Sequence, residues 1–332
     1  MQAQAVVATE PRQIAYQTVQ VPEPTAGDVV LRVLHSWISN GTEGSFVRGE
    51  RIQGDTPWTA SDPSPFPHVP GYQKIGVVEW VGSDVHDFQI GEIVFATISH
   101  IDGMFYEYGG HISPAVTPRS QIWKLPATIE PLSISGLVLT QVGYNVGVRP
   151  PVQKGDAAVV IGDGLVGHWS AQTLRHRGAR VMLLGKHDER LERWEMANGD
   201  RLVNITREDP LTVIMEWAPE GVQVLVDTVG SVTSIEALYS VMRHDSHLVS
   251  AGFYGTQGAI DIQKMRAREM TLHTPAGWTK ERMDATLSLL EQGVLKTLHL
   301  ITHRFPVAQA AAAFELILSR REPCLGVILD WE

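Results

Sequence analysis

The chain of 332 residues is poor in cysteine, in positive charge and in long apolar runs. Cys324 is its only cysteine, which excludes an intrachain disulfide and any cysteine-rich zinc site. A formal net charge of −10 argues against nucleic acid or an anionic membrane surface as a main partner. No apolar stretch approaches the ~20 residues of a membrane-spanning helix. The N-terminus lacks the basic segment and apolar core of a secretory signal. The expectation is a soluble cytoplasmic protein. Apolar content of 43% and charged content of 19% are those of an ordinary globular chain. The length suggests two domains, each with its own core.

The stretch 159–190, VVIGDGLVGHWSAQTLRHRGARVMLLGKHDER, organises the rest. Residues 157–161 form a short apolar run, as in a strand buried on both faces. Gly162, Gly164 and Gly167 follow in G-x-G-x-x-G spacing. The three serve a tight turn, close approach of a pyrophosphate, and close packing of helix on strand. Residues 165–177, opening on Leu165 and Val166, read as a helix, with Gly178 at its C-terminal end. The N-terminus of that helix offers free N–H groups and a positive dipole end to phosphates. Residues 181–184 read as the next strand.

The tip of that second strand carries the choice of cofactor. An NAD site places an acid there, about 20 residues past the glycines, on the ribose 2′-hydroxyl. Here Gly185, Lys186, His187 and Arg190 stand instead. A glycine leaves room for a 2′-phosphate, and Lys186 and Arg190 can pair with it. This favours NADP(H) over NAD(H), with Asp188 as a counter-reading if it turns toward the ribose.

Residues 1–125 read as mostly β. Runs at 2–8, 28–36, 74–81 and 91–96 are rich in valine and isoleucine and are separated by turns such as 22–27, as in a barrel or sandwich. Residues 49–70 hold Pro57, Pro63, Pro65, Pro67 and Pro70 with no period. They read as a loop folded over a cleft, with Trp58 and Phe66 to bury. From about residue 132 the texture becomes α/β. A buried helix at 134–146 leads in, and strands are expected at 222–227, 247–251 and 270–273. A capping box at Thr233 and Glu236 opens a helix through Met242. Ligand is expected at the carboxyl ends of these strands, where Val229, Ala251 and Phe253 stand. Helices at 280–292 and 307–318 and a strand at 325–329 close the chain.

This layout resembles the medium-chain dehydrogenase/reductase family, the zinc alcohol dehydrogenase relatives, over nearly the whole chain. The marks are Gly71 in VPGYQKIGVVEWVGSDVHDFQIGEIVFA, the GDGLVG turn, and the closing segments LITHRFPVAQAAAAFELI and GVIL. The resemblance implies a GroES-like β-barrel catalytic domain, 1–130 and 277–332, around a Rossmann domain with a doubly wound parallel sheet, 131–276. It implies a nicotinamide cofactor in the cleft between them. It also implies a homodimer or homotetramer, joined through the strand at 270–273.

The departures from the pattern are informative. Zinc members carry a ligand cysteine where this chain reads Ser39-Asn40-Gly41-Thr42-Glu43, and Gly-His-Glu where it reads Gly71-Tyr72-Gln73. Residues 137–140, the third ligand region, offer no thiol, and the four-cysteine structural loop is absent. His35, His68, His100 and His111 lack ligand spacing and read as surface or hydrogen-bonded residues. The expectation is a zinc-independent enzyme. Ser-Asn-Gly-Thr-Glu and Val-Pro-Gly-Tyr, with Pro11-Arg12-Gln13, look most like a zinc-less branch that includes bacteriochlorophyllide dehydrogenases, which oxidise a hydroxyethyl side chain to acetyl.

Without a metal, side chains must donate to the developing oxyanion or take the alcohol proton. By resemblance Tyr72, at the ligand-histidine position, points into the cleft, and Thr42 relays a proton that Glu43 accepts. Ser39 and Asn40 add polar contacts; Trp58, Gln141 and Trp278 are candidates to line the substrate pocket. The expected reaction interconverts a secondary alcohol and its ketone. An NADPH-dependent enone or quinone reductase and a non-catalytic NADPH-binding sensor remain alternatives.

Overall fold

A computed structural model describes all of residues 1–332. Two compact units divide the chain: Met1–Val138 with Thr297–Glu332, and Leu139–Lys296.

The first unit is built on the strand Asp28–Ile38, which pairs antiparallel with Lys74–Val81, Ala115–Pro118 and Gly326–Asp330. These belong to one seven-stranded sheet. Val29, Leu31 and Val33 turn into a core shared with Val78, Val94 and Ala96. The last strand sets Val327 opposite Ile38 and Asp330 opposite His35, so the chain's end completes a sheet that its beginning started. The helix Ala310–Ser319 packs Ala313, Phe314 and Ile317 against Val6, Ala8 and Ile38. The end of Asp28–Ile38 is thereby fixed from both faces, and segment 39–43 leaves from it.

The proline-rich stretch 49–70 is tied to the rest of the unit near its two ends. It contains a short hairpin, Arg51–Gln53 with Thr56–Pro57. Tyr106 Oη donates to Ile52 O at 2.5 Å. Phe66 lies 5.2 Å from the His68 ring, centroid to centroid.

The second unit is a six-stranded sheet in the order Arg201–Asn204, Arg180–Gly185, Ala157–Ile161, Val222–Asp227, Met242–Ser250, Thr271–His273. Every neighbouring pair is parallel. All five residues of Ala157–Ile161 are buried, as a continuous apolar run between two helical layers requires. The helix Leu165–His176 lays Ala171 and Leu174 against Ala158, Val160 and Leu183. It stops before Gly178, whose φ of +102° reverses the chain at little steric cost.

Two elements differ from expectation. Residues 134–146 form two helices, Pro131–Ile134 and Leu137–Val148. They part at Gly136, where a Cβ would stand 2.8 Å from Trp37 Cε3. The helix expected from Thr233 to Met242 opens instead at Ser231, whose Oγ accepts from Ser234 N, and spans only Val232–Glu236. The buried Asp227 carboxylate takes the Gly230 and Ser231 N–H groups, which places the cap two residues early, and Met242 begins a strand. The second junction between units lies at 296/297, beyond the helix Lys280–Glu291. Lys296 O accepts from Trp169 Nε1 at 3.0 Å and Lys296 N donates to Gln172 Oε1 at 2.9 Å, which binds this segment to the parallel-sheet unit.

Candidate active site

In the parallel-sheet unit the three glycines meet three different demands. Gly162 has φ +119°, and a Cβ there would lie 2.3 Å from Thr228 Oγ1. Gly167 packs so closely that a Cβ would come within 2.0 Å of Gly162 O. Gly164, the N-cap of the helix, has nothing within 4 Å of a built Cβ. The first two positions need glycine for the protein's own packing. The open third is where a phosphate can approach the Leu165, Val166 and Gly167 end of the helix. The arrangement fits a dinucleotide.

At the tip of Arg180–Gly185 the structure corrects one expectation. Gly185 does not leave a space: a Cβ there would stand 2.6 Å from Asp163 Cβ. Asp163 Oδ2 accepts from Lys186 N (2.8 Å), His187 N (2.9 Å) and His187 Nδ1 (2.9 Å). Its Oδ1 lies 3.3 Å from Arg190 Nη1. Burial alone would raise the Asp163 pKa. The hydrogen bonds from His187 and the Lys186 N–H, with the Arg190 charge, outweigh it and hold the carboxyl below its ordinary range. Lys186 is exposed. Asp188 is occupied elsewhere, by Asn204 Nδ2 at 2.6 Å and Arg207 Nη2 at 2.6 Å. Val229, 57% exposed, and the half-buried Ala251 and Phe253 stand just past the ends of the next two strands. Asp163 was not singled out from sequence; the available signal was an acid between two glycines, next to a strand tip without one.

In the β unit, segment 39–43 and Tyr72 come together. The Tyr72 hydroxyl hydrogen-bonds with the side chains of Ser39 and Thr42, with Glu43 and Arg51 nearby. Burial first, then the Glu43 charge, pushes its pKa up; the two hydroxyls and Arg51 pull the other way without prevailing. Glu43 is buried on the short helix Thr42–Val47. Its Oε1 accepts from Ser39 N at 2.8 Å and its Oε2 lies 2.8 Å from His111 Nε2.

Beyond Glu43 the chain of contacts continues. His111 Nδ1 is 2.9 Å from Ser36 Oγ, which accepts from Trp331 Nε1 at 2.9 Å. One assignment of hydrogens satisfies every member. Trp331 N–H donates to Ser36, Ser36 O–H donates to His111 Nδ1, and His111 Nε2–H donates to Glu43. His111 is thus hydrogen-bonded on both nitrogens and fully buried. Its partners Ser36 and Trp331 were not foreseen. The local signal was glycine: Gly71, at φ +94°, has the His111 ring 2.7 Å from a built Cβ, and a Cβ on Gly110 would lie 2.2 Å from Gly71 C. Two backbones meet there without side chains, and the ring fills the gap.

The remaining candidates are placed apart. Asn40 Nδ2 donates to Leu325 O at 2.7 Å, and its Oδ1 is buried without a partner. Trp58 is 36% exposed, its indole donating to Pro63 O within its own loop. Gln141, in the parallel-sheet unit, donates to Gly277 O at 3.5 Å with its Oε1 buried and unpartnered. Trp278 is half-buried. No three side chains among His, Cys, Asp and Glu converge where a metal ion could be held. At the two motif positions stand Asn40, bonded to a carbonyl, and Tyr72, bonded to hydroxyls. This donor set does not fit a catalytic zinc, which takes three N, S or O ligands around one open position.

A glycine turn fitted to a dinucleotide on a parallel sheet, with a β unit carrying a polar cluster, defines an NAD(P)-dependent dehydrogenase or reductase. Residues 166–292 match the family model described as zinc-binding dehydrogenase. The chain is 28% identical to 2-desacetyl-2-hydroxyethyl bacteriochlorophyllide A dehydrogenase of Cereibacter sphaeroides, over 100% of this chain and 99% of the relative. The fold superposes with a TM-score of 0.84 on rspB of E. coli CFT073, a structure complexed with NADH (20% identity, 99% of each chain). It superposes at 0.80 on a protein of Sinorhizobium meliloti 1021 bound to NADP (17% identity, 99% of each chain). The chain is similar over its length to the medium-chain dehydrogenase/reductase family, among the zinc alcohol dehydrogenase relatives, and its two units have the GroES-like and Rossmann folds. No helix is long and apolar enough to cross a membrane.

Proposed function

We propose that the protein is a zinc-independent, NADP(H)-dependent oxidoreductase that interconverts a secondary alcohol and its ketone. The nicotinamide supplies or takes the hydride; the protein's residues orient the substrate and manage the proton. The observation that carries the reading is the Tyr72 hydroxyl, seated on the side chains of Ser39 and Thr42 beside Glu43. A raised pKa keeps this phenol protonated at neutral pH. In reduction it donates a hydrogen bond to the carbonyl oxygen and then its proton, and the Ser39 and Thr42 hydroxyls pass a proton back. In oxidation the path runs in reverse: Tyr72 takes the alcohol proton as its own passes out through the Ser39 and Thr42 hydroxyls to solvent. Burial first, and then the charge of Glu43, held by Ser39 N–H and His111, keeps Tyr72 protonated.

The preference for NADP(H) is supported by the exposed Lys186, whose ammonium makes no ion pair. It is supported too by the commitment of Asp188 to Asn204 and Arg207. The relative from Cereibacter sphaeroides is named for a hydroxyethyl group, a secondary alcohol. Action in the cytoplasm, and a homodimer or homotetramer joined through the outer edge of Thr271–His273, where Leu272 is 40% exposed, belong to the same reading.

The test is turnover of NADPH against methyl ketones and α,β-unsaturated ketones, with the product identified. An alcohol product supports the reading. Tyr72→Phe then lowers kcat by about 10²–10³-fold while NADPH affinity holds. A saturated ketone product would make the protein an enone reductase. Tight NADPH binding with no turnover across the panel would make it a sensor.

A further inference from the structure

Asp163 stands between the first two glycines of the turn, on a different segment from the strand tip it reaches. Its Cβ and carboxylate fill the place a side chain on Gly185 would take, at 2.6 and 2.7 Å from a built Cβ. The carboxylate is buried, its side chain 9% exposed. Its two oxygens are used unequally. Oδ2 accepts three N–H groups at 2.8–2.9 Å. Oδ1 has only the long 3.3 Å contact with Arg190, and Arg190 Nε is buried with no partner. So Oδ1 keeps acceptor capacity, and Arg190 keeps donor capacity.

We propose that Asp163 is a cofactor-selectivity residue. Its carboxylate stands in for the acid that Gly185 replaces, offers Oδ1 to a ribose 2′-hydroxyl, and shares Arg190 and His187 with any 2′-phosphate, so the site takes NADH as well as NADPH. A hydroxyl gains an acceptor from this arrangement. A phosphate gains the cations but meets a fixed negative charge already paired with them. The protein's preference is the balance of Lys186, free to pair, against Asp163.

The proposal rests on a dinucleotide occupying this turn, but not on which one binds better. The test is Kd for NADPH and for NADH, by quenching of tryptophan fluorescence, on the full chain and on Asp163→Asn, with melting temperature as the check on folding. The amide keeps the shape and an acceptor for the backbone N–H groups while removing the charge. NADPH should bind about tenfold tighter and NADH more weakly, so that the ratio moves at least tenfold toward NADPH. Asp163→Ser, shorter but polar, should move it the same way and serves if the asparagine variant is unstable. A ratio unchanged within about twofold overturns the proposal, whether both affinities hold or both fall together; the latter would make Asp163 a prop for the turn alone. The wild-type Kd values separately decide the preference for NADP(H). A wild type that favours NADH would defeat that part of the proposed function and leave the Asp163 shift to be read on its own. Failure of the wild type to bind either nucleotide would overturn both.

Discussion

The two units handle polar groups in opposite ways. In the parallel-sheet unit the central strands Ala157–Ile161 and Arg180–Gly185 are apolar inside, and buried carboxylates stand at strand ends: Asp163 beside Gly185, and Asp227 at the end of Val222–Asp227. In the β unit, ionisable side chains lie inside the core. Glu43, His111 and Lys74 are buried, Lys74 completely, with its Nζ on Thr97 O at 2.5 Å. One arrangement is backbone set by a local glycine pattern. The other is a network of side chains gathered from positions 36, 39, 42, 43, 72, 111 and 331. The first admits no side chain at Gly162 or Gly167. The second depends on each partner being present.

The largest expected effect is in the β unit. His111→Leu leaves Glu43 Oε2 buried without a partner and the Ser36 O–H without an acceptor, a cost of about 3–5 kcal/mol. Denaturant unfolding should show that loss, and His111→Gln should recover part of it by donating again to Glu43. A loss below about 1 kcal/mol would mean that the buried network contributes little, and the contrast between the units would weaken.

A second pair of variants separates packing from binding in the other unit. Gly167→Ala drives a Cβ to 2.0 Å from Gly162 O, so the backbone must shift, at about 2–3 kcal/mol. Gly164→Ala meets nothing and should melt with the wild type while losing at least tenfold in dinucleotide affinity. Equal melting temperatures for the two alanine variants would contradict the division of roles among the glycines.

The smallest effect sharpens the contrast through pH. Burial pulls the Lys74 pKa down from 10.5 to about 7. Between those values the unfolded chain binds a proton that the folded chain does not, so stability rises with pH across that window. Lys74 therefore destabilises the fold below pH 7, and the penalty fades toward pH 10.5. Lys74→Met should gain about 2 kcal/mol at pH 6, allowing for relaxation around the ammonium, and nothing at pH 10. A gain independent of pH would point to packing rather than charge.

Much of this was legible in the chain. The strands Ala157–Ile161, Lys74–Val81 and Val222–Asp227 follow from apolar runs bounded by turn residues, because burial on one or both faces imposes a period of its own. The glycine spacing announced the dinucleotide turn. The segment 39–43 and Tyr72, read from a family resemblance, proved to be neighbours. The helix break at Gly136 was not legible, since it depends on Trp37, a hundred residues away in sequence. The Thr233 capping box matched a real pattern. It lost to Ser231 because Asp227, already buried at the strand end, takes the N–H groups that set the cap.

Sequence by itself determined what each segment would do alone: which runs pair, where the helix over the turn begins, and which positions admit no side chain. Those outcomes follow from forces between near neighbours and from the burial of periodic apolar faces. Tertiary structure decided which polar groups meet. Asp163 rather than solvent fills the space over Gly185, and His111 takes Glu43. Such partners are chosen by folding, because a buried carboxylate must find donors wherever the packed chain happens to supply them.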